Sequence, residues 1–121
     1  MDAYPSCNPA GTTIAWAREI SYQGVTQIYR ISVDDFVDSQ SDADALLDAV
    51  KLTNTTHESD ATMPAWSPSG SQIAYATDQP LNASTDYEIW IMNSDDGSAK
   101  TPLTDNSDED DEPNWGPAVL E

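Results

Sequence analysis

Hydrophobic residues alternate with small or polar ones in short runs, and turn-forming residues separate the runs. Over Thr12–Ala17, Ile14 and Trp16 fall on one side while Ala15 and Ala17 fall on the other. Ser71–Ala76 repeats the split, with Ile73 and Tyr75 opposite Ala74 and Ala76. A period of two is that of a β-strand. A strand with large residues on one face and alanine on the other suits a sheet packed on both sides, with one contact very close. Tyr87–Met92 predicts a third strand of the same kind. Thr101–Thr104 predicts a fourth, whose Pro102 belongs at an outer edge, where a missing N–H costs little. Pro68-Ser69-Gly70 supplies a turn: proline presets φ, and glycine takes the positive φ that follows a type I turn in a bulged hairpin. Asp95-Asp96-Gly97 is a second hairpin signal.

These elements recur. Pro64-Ala65-Trp66-Ser67-Pro68-Ser69-Gly70-Ser71-Gln72-Ile73-Ala74-Tyr75 lies 59 residues beyond Pro5-Ser6-Cys7-Asn8-Pro9-Ala10-Gly11-Thr12-Thr13-Ile14-Ala15-Trp16, and both prolines, Gly, Ile and Ala coincide without a gap. A third copy opens at Pro113-Asn114-Trp115-Gly116-Pro117. Gln27–Ser32 matches Glu88–Asn93, and Lys51–Asn54 matches Pro102–Asp105, in the same order. Each unit is thus four short strands. The first unit is longer by an insert within residues 34–50. There Ser41–Val50 predicts a short helix, capped by Ser41 or Asp42, with Ala43, Leu46, Leu47 and Val50 on one face. Packing of this helix on the outer rim is the expected role, and partner binding the alternative.

The string from Pro64 to Tyr75, the strand Glu88–Asn93 and the Leu103-Thr104 that precedes Pro113-Asn114-Trp115 resemble the signature of TolB-like, or WD-repeat-like, β-propeller repeats. The resemblance covers nearly the whole chain. Ala10 and Ser69 stand where the family usually has Asp, and Cys7-Asn8 replaces Trp-Ser in the first copy. The resemblance implies an all-β fold of two four-stranded antiparallel blades, 1–63 and 64–112, plus the first strand of a third at 113–121. Propellers contain about 4–8 blades, so two blades leave a ring open. Either the chain is part of a longer propeller or copies of it assemble; two copies would give four blades and three would give six. The faces built around Ile73, Tyr75, Ile89 and Ile91 are expected to be partly wet in an isolated pair and to drive association.

Composition narrows the chemistry. The 121 residues carry 22 Asp and Glu against 4 Lys and Arg, a formal charge of −18. Such a surface excludes nucleic acid, whose phosphates need clustered cations, and disfavours anionic membranes. No apolar run approaches the roughly 20 residues of a spanning helix, and no signal-peptide pattern opens the chain. Four Trp and five Tyr argue for a packed core in spite of the charge. Most of the acid is Asp placed between apolar runs, where turns are built. The acidity also fits a protein adapted to high salt, since screening relieves self-repulsion.

Candidate sites are few. His57 is the only histidine, and Cys7 the only cysteine. His57, Ser59 and Asp60 lie close in sequence without the Gly-x-Ser-x-Gly turn of a hydrolase, so no catalytic residue is assigned. One His and one Cys exclude a usual zinc set and an intrachain disulfide. Asp105–Glu112 holds six carboxylates in eight residues. Asp105, Asp108, Asp110 and Glu112 are the candidate ligands for Ca²⁺, but the frame of an EF-hand is missing, so a solvated loop is expected and no cofactor is assigned. Tyr22, Tyr87 and Trp90 would form a recognition patch if exposed; the match of Trp90 to Tyr29 places it in packing instead.

Three functions compete. The leading one is a non-catalytic propeller segment that binds or scaffolds protein, with the partner open. The second is the propeller portion of a larger hydrolase, gating a peptidase domain encoded elsewhere. The third is a calcium-binding extracellular module. The resemblance favours a periplasmic, envelope or secreted location. Fold alone names no ligand.

Overall fold

The computed structural model describes residues 2–19, 25–38, 48–53, 60–78 and 87–104. Eight strands form two four-stranded antiparallel sheets, each in simple sequence order. The first holds β1 (Asp2–Cys7), β2 (Thr13–Glu19), β3 (Thr26–Ser32) and β4 (Val50–Lys51). The second holds β5 (Ala61–Trp66), β6 (Gln72–Thr77), β7 (Glu88–Asn93) and β8 (Thr101–Pro102). Pro102 does lie on an edge strand, paired with β7 alone. Among the described residues no helix is long and apolar enough to cross a membrane.

The two sheets are wired alike. In the first, Ile14 faces Ile31 and Trp16 faces Tyr29 across β2 and β3; in the second, Ile73 faces Met92 and Tyr75 faces Trp90 across β6 and β7. Residues directly opposed in an antiparallel pair share a face, so each sheet has one side of large residues. The other side carries Ala15, Ala17 and Ile28 in the first sheet and Ala74, Ala76 and Ile89 in the second.

The first turn of each sheet is built as the residues require. Asn8 and Ser67 hold matched places: Gly11 N–H donates to Asn8 O and Gly70 N–H to Ser67 O, both at 2.9 Å. The Asn8 side chain accepts from Thr12 and Thr13 N–H, and Ser67 Oγ accepts from Gln72 N–H. Gly11 and Gly70 take φ of 72° and 77°, the left-handed step that the turn needs.

One shared feature was invisible in the pattern. The β1–β2 and β5–β6 registers each slip between matched residues, Ala3/Ser6 and Thr62/Ala65. The bulge residues Tyr4 and Met63 adopt φ of 56° and 53°, each just before a proline. A left-handed non-glycine residue costs about 1–2 kcal/mol, and bulges bend and twist a strand.

The outer strands are fastened by a hydroxyl. Thr53 Oγ1 accepts from Ile28 N–H at 2.9 Å and donates to Gln27 Oε1 at 2.6 Å. Thr104 Oγ1 does the same in the second sheet, between Ile89 N–H and the Glu88 carboxylate. Gln27, Thr53 and Glu88 are all buried, so each bond satisfies groups withdrawn from water.

The insert holds a helix that the pattern did not predict: α1 spans Val33–Asp38. Of the helix expected over 41–50, Asp48 is helical and residues 41–47 lie outside the described residues. The cap of α1 is Ser32, whose Oγ accepts from Asp35 N–H, and Asp34 and Asp35 in its first turn suit the helix dipole. Val50 is not helical: it pairs with Arg30 in β4, because the edge of β3 takes up its backbone. Residues 39–47 of the insert lie outside the described residues, as does the expected third-blade strand at 113–121.

The alanine side of the first sheet packs on the large side of the second. Ala15, Ala17, Ile28 and Leu52 join Ala61, Ile73, Tyr75, Trp90 and Met92 in one buried cluster, with Trp66 against it. Ile73 and Tyr75 are therefore fully covered inside the pair, contrary to the expectation that they stay partly wet. Gly97 marks a close approach. A Cβ there would stand 2.1 Å from the carbonyl oxygen of Leu52 in the other sheet, and its φ is 74°. Gly97→Ala should then destabilise the chain by about 3 kcal/mol, combining left-handed strain and overpacking. Gly11→Ala, with φ 72° and nothing within 4 Å of the new Cβ, should cost only about 1 kcal/mol. Denaturant unfolding of both variants checks this, and equal losses would contradict the close contact.

Candidate interaction surface

Polar bonds stitch the two sheets at several points. The Trp66 indole donates from Nε1 to Ser6 O at 2.8 Å. The Arg30 guanidinium donates from Nε and Nη2 to Asp95 O at 3.1 and 2.5 Å. Asp60 is the hub. Its Oδ1 accepts from Thr26 N–H at 2.9 Å in the first sheet, and its Oδ2 accepts from the Tyr87 hydroxyl at 2.8 Å in the second. Its own N–H donates to Asp78 Oδ1 and its carbonyl accepts from Thr77 Oγ1. The sequence offered little sign of this, because Asp60 has no counterpart of like chemistry in the first unit, where Met1 stands 59 residues earlier.

Two buried polar atoms in the interface, Tyr75 Oη and Trp90 Nε1, have no hydrogen-bond partner among the described residues. Burial pushes the Tyr75 hydroxyl above its ordinary range, so the neutral phenol is held at all physiological pH. Trp90 and Tyr75 are packing residues; as expected, Trp90 belongs to no exposed patch.

The outer faces carry the functional interest. On the first sheet the large side points away from the second: Ile14, Trp16 and Tyr29 are half-buried there, and Cys7 is exposed. Trp16 and Tyr29 lie with ring centroids 5.9 Å apart and planes tilted by 31°. On the second sheet the alanine side points outward, with Ile89 and Ile91 half-buried. Leu103 there is 57% exposed, whereas its matched residue Leu52 is 2% exposed because the second sheet covers it. Phe36 on α1 and Tyr4 in the bulge add exposed apolar surface to the first sheet.

Asp105, Asp108, Asp110 and Glu112, with His57 and Tyr22, fall outside the described residues. Among the described residues no group of three His, Cys, Asp or Glu side chains could hold a metal ion.

Asp78 gives the interface a pH signature. Desolvation raises its carboxyl above the ordinary 3.8, the nearby Asp60 charge raises it further, and the Asp60 N–H partly offsets both. A carboxyl raised in the folded state binds more protons there than in the unfolded chain. Stability therefore falls as pH rises from 3.8 through the folded value, and the penalty is complete at neutral pH. Asp78→Asn keeps an acceptor oxygen for the Asp60 N–H and removes the charge. Thermal melts should give a higher Tm for the variant at pH 7, with the gap closing as pH falls to 3.8; a variant less stable at pH 7 would contradict the assignment.

No family model matches the sequence, and no curated protein matches it either. Solved structures do match. A TolB-type protein from Agrobacterium tumefaciens aligns with TM-score 0.65 and 20% identity over 88% of this chain and 31% of its own. TolB from Acinetobacter baumannii aligns with TM-score 0.59 and 17% identity over 92% of this chain and 23% of its own. The chain thus spans less than a third of the length of either. With two ordered antiparallel sheets stacked face to face, the chain has the fold of two consecutive blades of a TolB-like β-propeller.

Proposed function

We propose that the chain is a non-catalytic, protein-binding pair of propeller blades that works in the cell envelope. One observation carries the reading: the outer faces repeat the residue pattern of the buried joint between the blades, and although Ile31, Ala74 and Ala76 are covered there, Leu103 stays exposed. The contrast between Leu103 and Leu52, 57% against 2% exposed, measures what a bound surface would cover. Fully burying a leucine stabilises by about 1.5–3 kcal/mol, so a partner that covers Leu103, Ile89 and Ile91 gains on that face alone. The acidic side chains support a structural rather than catalytic use, since half-buried Asp60 accepts from Thr26 N–H and the Tyr87 hydroxyl across the joint, and buried Glu88 accepts from the Thr104 hydroxyl within the second sheet. The envelope location is carried by the resemblance to TolB-like repeats.

Site-specific photo-crosslinking in the cells that make the protein tests this reading. A crosslinking side chain at position 103 should give a protein adduct of discrete mass, as should one at position 16. The same group at Ala10, in the exposed first turn, should give none. Absence of protein adducts at both 103 and 16 would contradict the proposal.

A further inference from the structure

We propose that the joint between the blades contains a site for one internal water molecule, held by the Tyr75 hydroxyl and the Trp90 indole. The site belongs to the covered joint, so it stands apart from the protein-binding reading of the outer surface. Tyr75 and Trp90 face each other across β6 and β7, and their side chains therefore leave the same side of the sheet. That side packs on the first blade, where both rings join Ala15, Ala17, Ile28 and Leu52 in the buried cluster. Tyr75 is 0% exposed and Trp90 9%. Tyr75 Oη and Trp90 Nε1 are themselves withdrawn from solvent, and among the described residues neither has a hydrogen-bond partner.

The cluster offers these two atoms nothing to bond. Apart from Tyr75 itself, none of its side chains carries an oxygen that could accept from an indole N–H. The rings do not satisfy each other either, since a bond between them would give each atom a partner. Trp66, packed against the same cluster, shows the other solution: its indole N–H reaches Ser6 O at 2.8 Å. In the first blade the same ring types oppose each other as Trp16 and Tyr29, but there they are only half-buried. The enclosed pair is thus the one that needs a partner brought in from outside the chain. Buried polar groups are almost always bonded, and a stranded one is costly in a domain of marginal stability.

Water matches both groups. The indole only donates, whereas the phenol donates and accepts. Burial holds the Tyr75 hydroxyl in its neutral form, so it keeps both abilities. A water accepts from Trp90 Nε1 and exchanges one bond with Tyr75 Oη, which falls within the about two to four partners that buried waters have. The cluster contains no cationic side chain, so a neutral acceptor fits and an anion does not.

Two measurements on the purified chain test the proposal. In the parent, NMR cross-relaxation should place a long-lived water beside the Trp90 indole proton, with the sign of a dipolar contact rather than of proton exchange. Tyr75→Phe keeps the ring and removes one hydroxyl. Oxygen-17 relaxation dispersion should then count one long-lived water fewer than in the parent, and Tm should fall by about 2–6 °C. In a dry joint the same variant would only remove a stranded hydroxyl, and it would melt at or above the parent temperature. That outcome overturns the proposal, as does an unchanged water count. Absence of a water contact at the Trp90 indole proton of the parent overturns it without any variant, and so decides the matter if Tyr75→Phe does not fold.

Discussion

Everything in this fold depends on two sheets approaching closely enough for alanine to be the right side chain. Ala15 and Ala17 are buried against Ile73, Tyr75 and Trp90 because the opposing face is large. A bigger residue at either alanine would push the sheets apart, and a smaller one opposite would leave a void; both cost free energy in a close-packed interior. Gly97 extends the same constraint to the edge, where even a methyl group has no room beside the Leu52 carbonyl. The alternation of small and large residues along β2 and β6 thus sets the spacing of the blades, and the spacing decides where glycine, tryptophan and arginine can reach across.

Reach across the joint is mostly polar, and it uses few charges. Of the four cationic residues, Arg30 spends its guanidinium on a backbone carbonyl rather than on a carboxylate. Asp60 gathers donors from both sheets, and Thr53 and Thr104 satisfy matched backbone amides. Such bonds offset the desolvation of groups that the apolar contact has buried. Among the described residues Asp34, Asp35, Asp48, Asp95 and Asp96 are exposed, whereas Asp60 and Asp78 are half-buried at the joint.

Much of this was legible from the residues. The split of Ile and aromatic from Ala along residues 12–17 and 71–76 announced both faces, and Pro-x-Gly placed the first turns. The matched Leu-Thr of each unit marked the fourth strand, although its hydroxyl bond to Gln27 or Glu88 needed the register to be seen. Other features left weak traces. The bulges sit at Tyr4 and Met63, residue types that carry no signal for positive φ. Val33–Asp38 lacks strong helix formers, so α1 depends on the Ser32 cap and on its acidic first turn more than on propensity. Gly97 read as an ordinary hairpin glycine, because no local pattern discloses a carbonyl arriving from another sheet. The direction of burial was also hidden: Ile73 and Tyr75 match Ile14 and Trp16 in type, and only the order of the blades decides which pair is covered.

The central claim is that the two blades form one cooperative unit through their joint. Native-state amide hydrogen exchange, measured across a series of low denaturant concentrations, tests it most directly. Amides of Ile28 in β3 and Ile73 in β6 should open with the same free energy and the same denaturant dependence, as a single global event. Two distinct opening free energies, one for each sheet, would show that the blades unfold separately and would contradict the account.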